Sequence, residues 1–352
     1  MPRYRRAFFV LKRFRPCART ASSSSSRSPS SPSAKLDAFL PLVGTWHGEG
    51  TAAQTADMEP APWTATVHYQ PILGGYFFQE DAVIEVGAPT PIVMRSIYGW
   101  DAETERYVMF VVGNTGEADF HTVQFPEPGT MIVGHAGMRQ GEFATMRTIT
   151  RVTADAITFE SERANGTGPW FTAVKGELTK ADVKPPELLA VGFVGVPVPP
   201  QIEALADRMA GSYTIRGSMA SAPGAADVRI SGAEHITKAF GGHAIHSIVE
   251  GSAGGEGPTY VAHTFMVWNA SDARFDSVAF DNMGTVGHSQ AWMVGDDTLV
   301  AVFAGRRMGQ PTADRGTLKL GDDGPESWTS HTIVGTDEPK LTFHATYERK
   351  SD

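Results

Sequence analysis

Short hydrophobic runs alternate with polar turns along most of the chain. The turns are rich in glycine, proline, aspartate and asparagine, and the runs are rich in aromatic and β-branched side chains, which is typical of β-strands. Helix is favoured only at 35–42 and 201–209, each directly before a first strand. The predicted strands are 66–69, 76–85, 92–99, 106–112 and 143–151 in the first half, and 234–239, 243–250, 260–268, 274–280, 288–293, 298–304, 328–334 and 340–349 in the second.

An internal repeat organises this pattern. Matching residues recur at a shift of 167 positions and, after one inserted residue, at a shift of 168. Self-similarity held in register over such a distance predicts two copies of one domain. The matches are Gly44 with Gly211, Trp46 with Tyr213, His68 with His235 and Gly74-Gly75 with Gly241-Gly242 at the first shift, and Trp100 with Trp268, Arg106 with Arg274 and Gly116 with Gly284 at the second.

The repeat and the strand pattern together predict the architecture. We place the copies at 36–180 and 203–352, with a proline-rich linker at 181–202. Eight or so antiparallel strands in each copy favour a closed barrel, because closure removes the unpaired edges of a long sheet. The predicted fold is all-β, with two tandem antiparallel β-barrels that each begin with a short helix.

The first 34 residues differ from the rest. They contain eight basic residues, nine serines and no acidic residue, which is the composition of an organelle transit peptide. The spaced arginines favour import into the mitochondrion, whereas the serine run at 22–26 is also typical of a chloroplast peptide. A disordered tail on a cytosolic protein is the alternative.

Charge and cysteine content exclude several classes of function. Without its eight N-terminal basic residues the chain changes from a net charge of −9 to −17, which disfavours binding to nucleic acid or to anionic lipid. No apolar run has the length of a membrane-spanning helix. The single cysteine, Cys17, lies in the N-terminal segment, so the predicted domains have no thiolate for catalysis or metal binding.

The opening of each copy resembles a known family. The segment Leu42-Val43-Gly44-Thr45-Trp46-His47-Gly48, followed by Leu73-Gly74-Gly75 and Tyr98-Gly99-Trp100-Asp101, is similar to an uncharacterised lipocalin-like family whose domains open with L-x-G-x-W-x-G. This resemblance spans both copies and implies a calycin barrel, in which Trp46 packs at the closed end.

The same opening more distantly resembles nitrobindin, a haem-binding calycin barrel of ten strands. That resemblance implies haem as a possible cofactor, held by a histidine in an H-L-x-A motif of the last strand. Here Thr342 occupies the position of that histidine, and His344, two residues further on, is expected on the same strand face. His344 is therefore the candidate metal ligand in the event that haem is bound.

The repeat also indicates candidate ligand-binding residues. His68 and His235 are the only histidines that the repeat pairs, and they either face the barrel interior or hydrogen-bond within the fold. Trp100 with Arg106, and Trp268 with Arg274, are expected to stack at a barrel mouth, where they either stabilise the hairpin or capture a ligand. The complete candidate set is His68, Tyr98, Trp100, Arg106, His235, His263, Trp268 and Arg274.

Three functions follow from these features. The preferred one is binding of a small apolar or amphipathic ligand, such as a lipid, an isoprenoid or a tetrapyrrole, inside a barrel without any cofactor. The second is a haem- or metal-dependent enzyme that uses the second barrel, and the third is a scaffold whose barrels are filled by side chains. The motifs of nucleotide-binding loops, serine hydrolases and zinc proteases are absent from the sequence.

Overall fold

A computed structural model describes residues 32–101, 104–116, 118–139, 142–192, 195–220, 223–255, 259–307 and 310–351. These residues form two closed β-barrels in tandem, each built of ten antiparallel strands. The predicted all-β fold with two barrels and two short helices is confirmed. The predicted transit peptide lies outside the described residues, apart from its last three positions. No helix among the described residues is both long and apolar enough to cross a membrane.

Barrel 1 is an up-and-down barrel in which each strand pairs with the next and the last strand pairs with the first. A 3₁₀ segment, Ala34–Leu42, precedes it and is called cap 1 here. Its strands are β1 (Gly44–Ala52), β2 (Ala61–Ile72), β3 (Phe77–Glu85), β4 (Ile92–Asp101), β5 (Arg106–Gly113), β6 (Ala118–Glu127), β7 (Thr130–Arg139), β8 (Glu142–Val152), β9 (Ala156–Asn165) and β10 (Phe171–Lys180).

Barrel 2 has the same topology and follows helix α1 (Pro200–Met209). Its strands are β11 (Gly211–Ala220), β12 (Asp227–Ala239), β13 (Ala244–Ala253), β14 (Tyr260–Asn269), β15 (Arg274–Asp281), β16 (Val286–Val294), β17 (Thr298–Arg307), β18 (Gln310–Gly321), β19 (Gly324–Val334) and β20 (Lys340–Arg349). Strand starts follow the shifts found in the sequence, with β3 and β13 separated by 167 residues and β6 and β16 by 168.

Each barrel is closed at one end by the segment before its first strand. Trp46 is fully buried and its indole Nε1 donates to the carbonyl of Leu42, 2.6 Å away, at the end of cap 1. Tyr213 is equally buried, and its hydroxyl donates to the carbonyl of Met209, 2.9 Å away, at the end of α1. Both rings thus bind the residue four positions before them, so the repeated aromatic position fixes the cap onto the barrel.

The repeated Gly-Gly pairs adopt a backbone geometry that favours glycine. Gly74 and Gly75 have φ values of 71° and 87°, and Gly241 and Gly242 have φ values of 65° and 99°. Glycine adopts this left-handed region without steric cost, whereas other residues rarely do. At Gly241 a Cβ atom would stand 2.1 Å from the Cα of Gly192 in the linker, so this turn also requires glycine for close passage of the chain.

The two barrels pack against each other through their outer faces. Strands β3–β5 of barrel 1 meet β13–β15 of barrel 2 in one apolar cluster, to which the linker contributes Leu188. The rings of Phe77 and Phe280 pack edge to face, with centroids 5.2 Å apart. The cluster comprises Phe77, Val93, Ile97, Phe110, Val112, Leu188, Ala239, Phe240, Ala244, Phe265, Val267, Val278 and Phe280.

This interface has the symmetry of the repeat. A Cβ atom on Gly284 would stand 2.8 Å from the ring of Tyr76, and one on Gly116 would stand 3.2 Å from the ring of His243. Gly116 and Gly284 are repeat partners, and so are Tyr76 and His243. The same contact is therefore made twice in opposite directions, as in the interface of a two-fold dimer.

Candidate functional site

The paired histidines face outward. His68 lies between two inward-facing residues of β2, and its Nδ1 lies 2.9 Å from the hydroxyl of Thr45. In barrel 2, Nδ1 of His235 lies 2.9 Å from the hydroxyl of Ser212, the repeat partner of Thr45. Each histidine therefore joins the first two strands of its barrel. This position does not support contact of either imidazole with a ligand inside a barrel.

Tyr98 lies inside barrel 1, beside a carboxyl group that sequence analysis did not select. Its hydroxyl donates to Oε2 of Glu80, which faces the interior between the buried residues Phe78 and Ala82 of β3. Burial raises the pKa of Glu80, although hydrogen bonds from Tyr98, Ser96 and Tyr69 oppose that rise. Burial likewise raises the pKa of Tyr98, with Glu80 adding to that rise.

Barrel 2 buries a carboxyl group from a different strand. Glu234 on β12 accepts a hydrogen bond from Ser247 on β13, and Ser247 is the repeat partner of Glu80. Burial raises the pKa of Glu234, opposed by hydrogen bonds from Ser247 and Tyr347. Both barrels thus contain an acid bonded to hydroxyl groups. The sequence does contain a signal for Glu80 and Glu234, because each is a glutamate at a strand position that faces the barrel interior.

The predicted tryptophan–arginine stacks are replaced by other contacts. In barrel 1 the cation over Trp100 is Lys35 of cap 1, whose Nζ lies 5.5 Å from the ring centroid, and Arg106 is exposed. In barrel 2, Arg274 forms ion pairs of 2.9 Å with Asp272 and 2.8 Å with Asp276. In barrel 1, cap 1 therefore supplies the cation that lies over Trp100. In barrel 2, nearby carboxylates bind the guanidinium of Arg274.

Trp268 lines a cavity of about 320 Å³ between α1 and the rim of barrel 2. Its ring packs edge to face on Phe275, with centroids 5.0 Å apart. The wall is mostly apolar, and its polar groups come from one side of α1. The lining residues are Gln201, Ala204, Leu205, Arg208, Trp268, Ala273, Phe275, Trp292 and Met293.

Barrel 1 packs a side chain of its own cap among aromatic rings. The ring of Phe39 is fully buried, and its centroid lies between 5.0 and 5.7 Å from those of Phe78, Tyr98, Tyr107 and Phe125. The repeat partners of Tyr107 and Phe125 are Phe275 and Met293, both of which line the cavity. The repeat partner of Phe39 itself, Ala206, is buried in the core of barrel 2 and is not part of the lining.

Two further candidates lie outside the barrel interiors. His263 is on the outer face of β14, beside the buried interface residue Phe265, and therefore lies between the barrels. His344 alternates with Ala345, which is fully buried inside barrel 2. A bulge at Ser330/His331 leaves Thr342 unpaired, so Thr342 and His344 do not share a face as expected. His344 therefore points outward, and this residue does not fit as a haem ligand inside the barrel.

Comparison with known proteins identifies distant likenesses. No curated protein matches the chain. The structure of Rv2717c from M. tuberculosis is 13% identical with a TM-score of 0.35, over 43% of this chain and 99% of that one. A DUF3598-family protein of unknown function from Nostoc punctiforme PCC 73102 is 12% identical with a TM-score of 0.26, over 90% of this chain and 100% of that one. Residues 31–180, which contain barrel 1, match the model of the family described as "Protein of unknown function (DUF1579)", so this part of the chain resembles an uncharacterised domain family.

Proposed function

We propose that the protein binds a small apolar or amphipathic molecule in the cavity between α1 and barrel 2. The observation that carries this proposal is the difference between the two barrels. Barrel 1 packs the phenyl ring of Phe39 on Tyr107 and Phe125, whereas in barrel 2 their repeat partners Phe275 and Met293 line a cavity together with Trp268. An apolar group of the ligand packs on these side chains.

The cavity favours a small ligand. Its volume of about 320 Å³ lies at the lower end of the range found for ligand sites. A short acyl chain or isoprenoid suits this volume better than a tetrapyrrole does. Burying about 200 Å² of apolar ligand surface at roughly 25 cal/mol per Å² offers about 5 kcal/mol before the cost of association, which corresponds to weak or moderate affinity.

The polar side of the cavity favours a ligand with an uncharged head group. Arg208 lines the cavity, but its guanidinium already donates to the carbonyls of Asp296 and Leu320. Gln201, at the exposed N-terminal turn of α1, contributes an amide to the lining. The rim thus presents a hydrogen-bonding amide and an arginine that is held by backbone groups, which suits an alcohol, an ester or a protonated acid.

Titration of the full chain with the methyl ester of cis-parinaric acid, a fluorescent fatty acyl ester without charge, tests this proposal. We expect saturable binding at one site, with energy transfer from Trp268 and Trp292. Ala204 lines the cavity from an exposed position on α1, so Ala204→Phe should fill the cavity without disturbing the core and weaken binding at least about tenfold. Glu203→Phe places the same ring on the next exposed position of α1, outside the lining, and should leave binding unchanged.

Two results would count against the proposal. Absence of saturable binding would indicate that barrel 2 serves as a scaffold. Equal loss of affinity in Ala204→Phe and Glu203→Phe, or no loss in either, would place the probe elsewhere on the protein. Circular dichroism of both variants separates a blocked cavity from a misfolded barrel.

A further inference from the structure

Three side chains with metal-binding atoms meet inside barrel 1, at a place that the proposed ligand site does not include. Val123 on β6 and Val133 on β7 are paired neighbours that face the interior. Because side chains alternate along a strand, His121, two residues before Val123, and His135, two residues after Val133, also face the interior and stand opposite each other. Asp119 follows on the same face of β6.

The distances within this group suit a metal ion. Among the residues that the structure describes, Asp119, His121 and His135 each offer one donor atom, and these atoms all lie within 4.8 Å of one another. Nε2 of His135 lies 3.5 Å from Oδ1 of Asp119, and the imidazole rings of His121 and His135 stack with centroids 4.5 Å apart. Tetrahedral zinc with bonds of about 2.0–2.1 Å keeps its donor atoms about 3.4 Å apart, so small side-chain rotations complete the site.

The surroundings leave room for a further ligand. The His135 side chain is 6% exposed, whereas that of Asp119 is 35% exposed. One side of the group is therefore enclosed by the barrel and the other side opens to solvent at Asp119. Three protein donors with an open position are the arrangement found in catalytic zinc sites, in which water or substrate completes the coordination.

Barrel 2 provides an internal comparison for this arrangement. The repeat partners of Asp119, His121 and His135 are Gly287, Ser289 and Phe303. In both barrels the ring at the last position leans over a glycine two residues later. A Cβ atom on Gly137 would stand 3.0 Å from Nε2 of His135, and one on Gly305 would stand 2.7 Å from the ring of Phe303.

This comparison separates the packing role of the ring from the other features of the group. Both barrels place an aromatic ring above the glycine, and in barrel 2 that ring is the phenyl group of Phe303. Barrel 1 instead has an imidazole there, together with a second imidazole and a carboxylate within reach of it. The packing requirement therefore explains a ring at position 135 and leaves the three convergent donor atoms without a packing role.

We propose that Asp119, His121 and His135 of barrel 1 form a binding site for a divalent cation of the Zn²⁺ class. Two imidazole nitrogens and one carboxylate oxygen are donors that suit Zn²⁺ and disfavour Ca²⁺ and Mg²⁺, which prefer sites made entirely of oxygen. The cation bridges β6 and β7, and its open position faces solvent on the side of Asp119.

Calorimetric titration of the tag-free, EDTA-treated full chain with Zn²⁺ tests this site. We expect one Zn²⁺ per chain and an increase in the melting temperature on binding. His135→Phe introduces the residue that barrel 2 carries at the equivalent position, so the barrel should fold while Zn²⁺ affinity falls at least about 100-fold, as expected for loss of a direct ligand. Asp119→Asn keeps the shape of the side chain but removes its charge, and should also weaken binding.

The matched control is His47→Phe, which makes the same replacement at an exposed histidine of β1 and should leave Zn²⁺ affinity unchanged. Failure of the wild-type chain to bind Zn²⁺ would overturn the proposal. Binding of Zn²⁺ by both His135→Phe and Asp119→Asn with the affinity of the wild type would overturn it as well. Unchanged melting temperatures of the metal-free variants show that a loss of binding reflects the site and not the fold. The ligand site of barrel 2 is tested separately, because neither variant lies near α1.

Discussion

His246 and His263 stand side by side in the interface between the barrels, with Nε2 of one 3.2 Å from Nδ1 of the other. Both lie on the outer face of barrel 2, and His246 stacks on the ring of Phe265 with centroids 4.4 Å apart. Their repeat partners in barrel 1 are Gln79 and Arg95, which occupy the same interface. The same two strand positions of each barrel therefore lie in the interface, with His246 and His263 from barrel 2 and Gln79 and Arg95 from barrel 1.

Burial lowers the pKa of both histidines of this pair. Burial lowers the pKa of His246 to about 3, and the neighbouring His263, Arg95 and His235 add to that effect. Burial also lowers the pKa of His263, with Arg95 contributing and Glu250 opposing. The guanidinium of Arg95 is itself bound by the carboxylate of Asp81, with contacts of 2.7 and 2.9 Å.

We predict that acid destabilises the protein through His246. An unfolded chain takes up a proton on this imidazole near pH 6.5, whereas the folded protein does not do so until about pH 3. The unfolded state therefore binds more protons in this window, and the free energy of unfolding falls as the pH is lowered from 6.5 towards 3. At roughly 1.4 kcal/mol per pH unit, the loss from this group is about 2 kcal/mol at pH 5.

His246→Gln tests this prediction, because Gln79 shows that an amide fits at the equivalent position of barrel 1. Urea unfolding at pH 7 and pH 5 should show a smaller loss of stability in the variant than in the wild type, by about 2 kcal/mol. His331→Gln changes an exposed histidine of barrel 2 and serves as the control. Identical losses in His246→Gln and the wild type would contradict the assignment.

Sequence analysis predicted the architecture because the features that determine it are local or repeated. The strands and the two short segments before the first strands depend only on the neighbouring sequence, and the tandem arrangement depends on matches such as Gly74-Gly75 with Gly241-Gly242. Sequence analysis did not predict that the two barrels pack against each other. Consecutive apolar residues such as Phe77-Phe78 and Val111-Val112 make both faces of a strand apolar, and both faces are buried in the structure. Such strands indicate a second packing surface outside the barrel.

The candidate sites were harder to predict because they depend on differences between the copies. Identity at His68 and His235 indicated a shared role, which the structure shows to be a bond to Thr45 and Ser212, themselves a repeated hydroxyl pair. The cavity depends on how the side chains of α1 pack beside Phe275 and Met293, which matching residues between the two copies does not show. The group of Asp119, His121 and His135 depends on the register of a hairpin, which the sequence pattern alone does not determine.

We predict that Phe39→Ala opens a cavity in barrel 1 beside cap 1. Removal of a fully buried phenyl ring from among four aromatic neighbours should lower the free energy of unfolding by about 3–5 kcal/mol. The variant should bind benzene in the vacated space, which is lined by Tyr98, Tyr107 and Phe125, because an apolar cavity left by one ring has the size of a benzene molecule. Denaturant unfolding measures the first effect, and a larger rise in melting temperature with benzene than the wild type shows measures the second.

The control for this change is Leu40→Ala in the same cap, where the side chain is 54% exposed. It should change the free energy of unfolding by less than about 1 kcal/mol, and its melting temperature should respond to benzene no more than that of the wild type. A folded Phe39→Ala protein that benzene does not stabilise beyond the wild type would show that barrel 1 collapses around the lost ring, which would contradict the prediction.

We predict that the contact between Gly284 and Tyr76 contributes to the pairing of the barrels. Gly284 has a φ of 82°, and an added Cβ would stand 2.8 Å from Cδ1 of Tyr76, whereas Gly295 has a φ of 68° and open space around it. Gly295→Ala should cost about 1–2 kcal/mol from backbone strain alone, and Gly284→Ala about 1–3 kcal/mol more, measured by denaturant unfolding. Removing the ring with Tyr76→Ala should abolish that additional cost in a double-mutant cycle, because no atom then opposes the new methyl group. Equal costs for the two glycine variants would show that the barrels separate at this contact without loss.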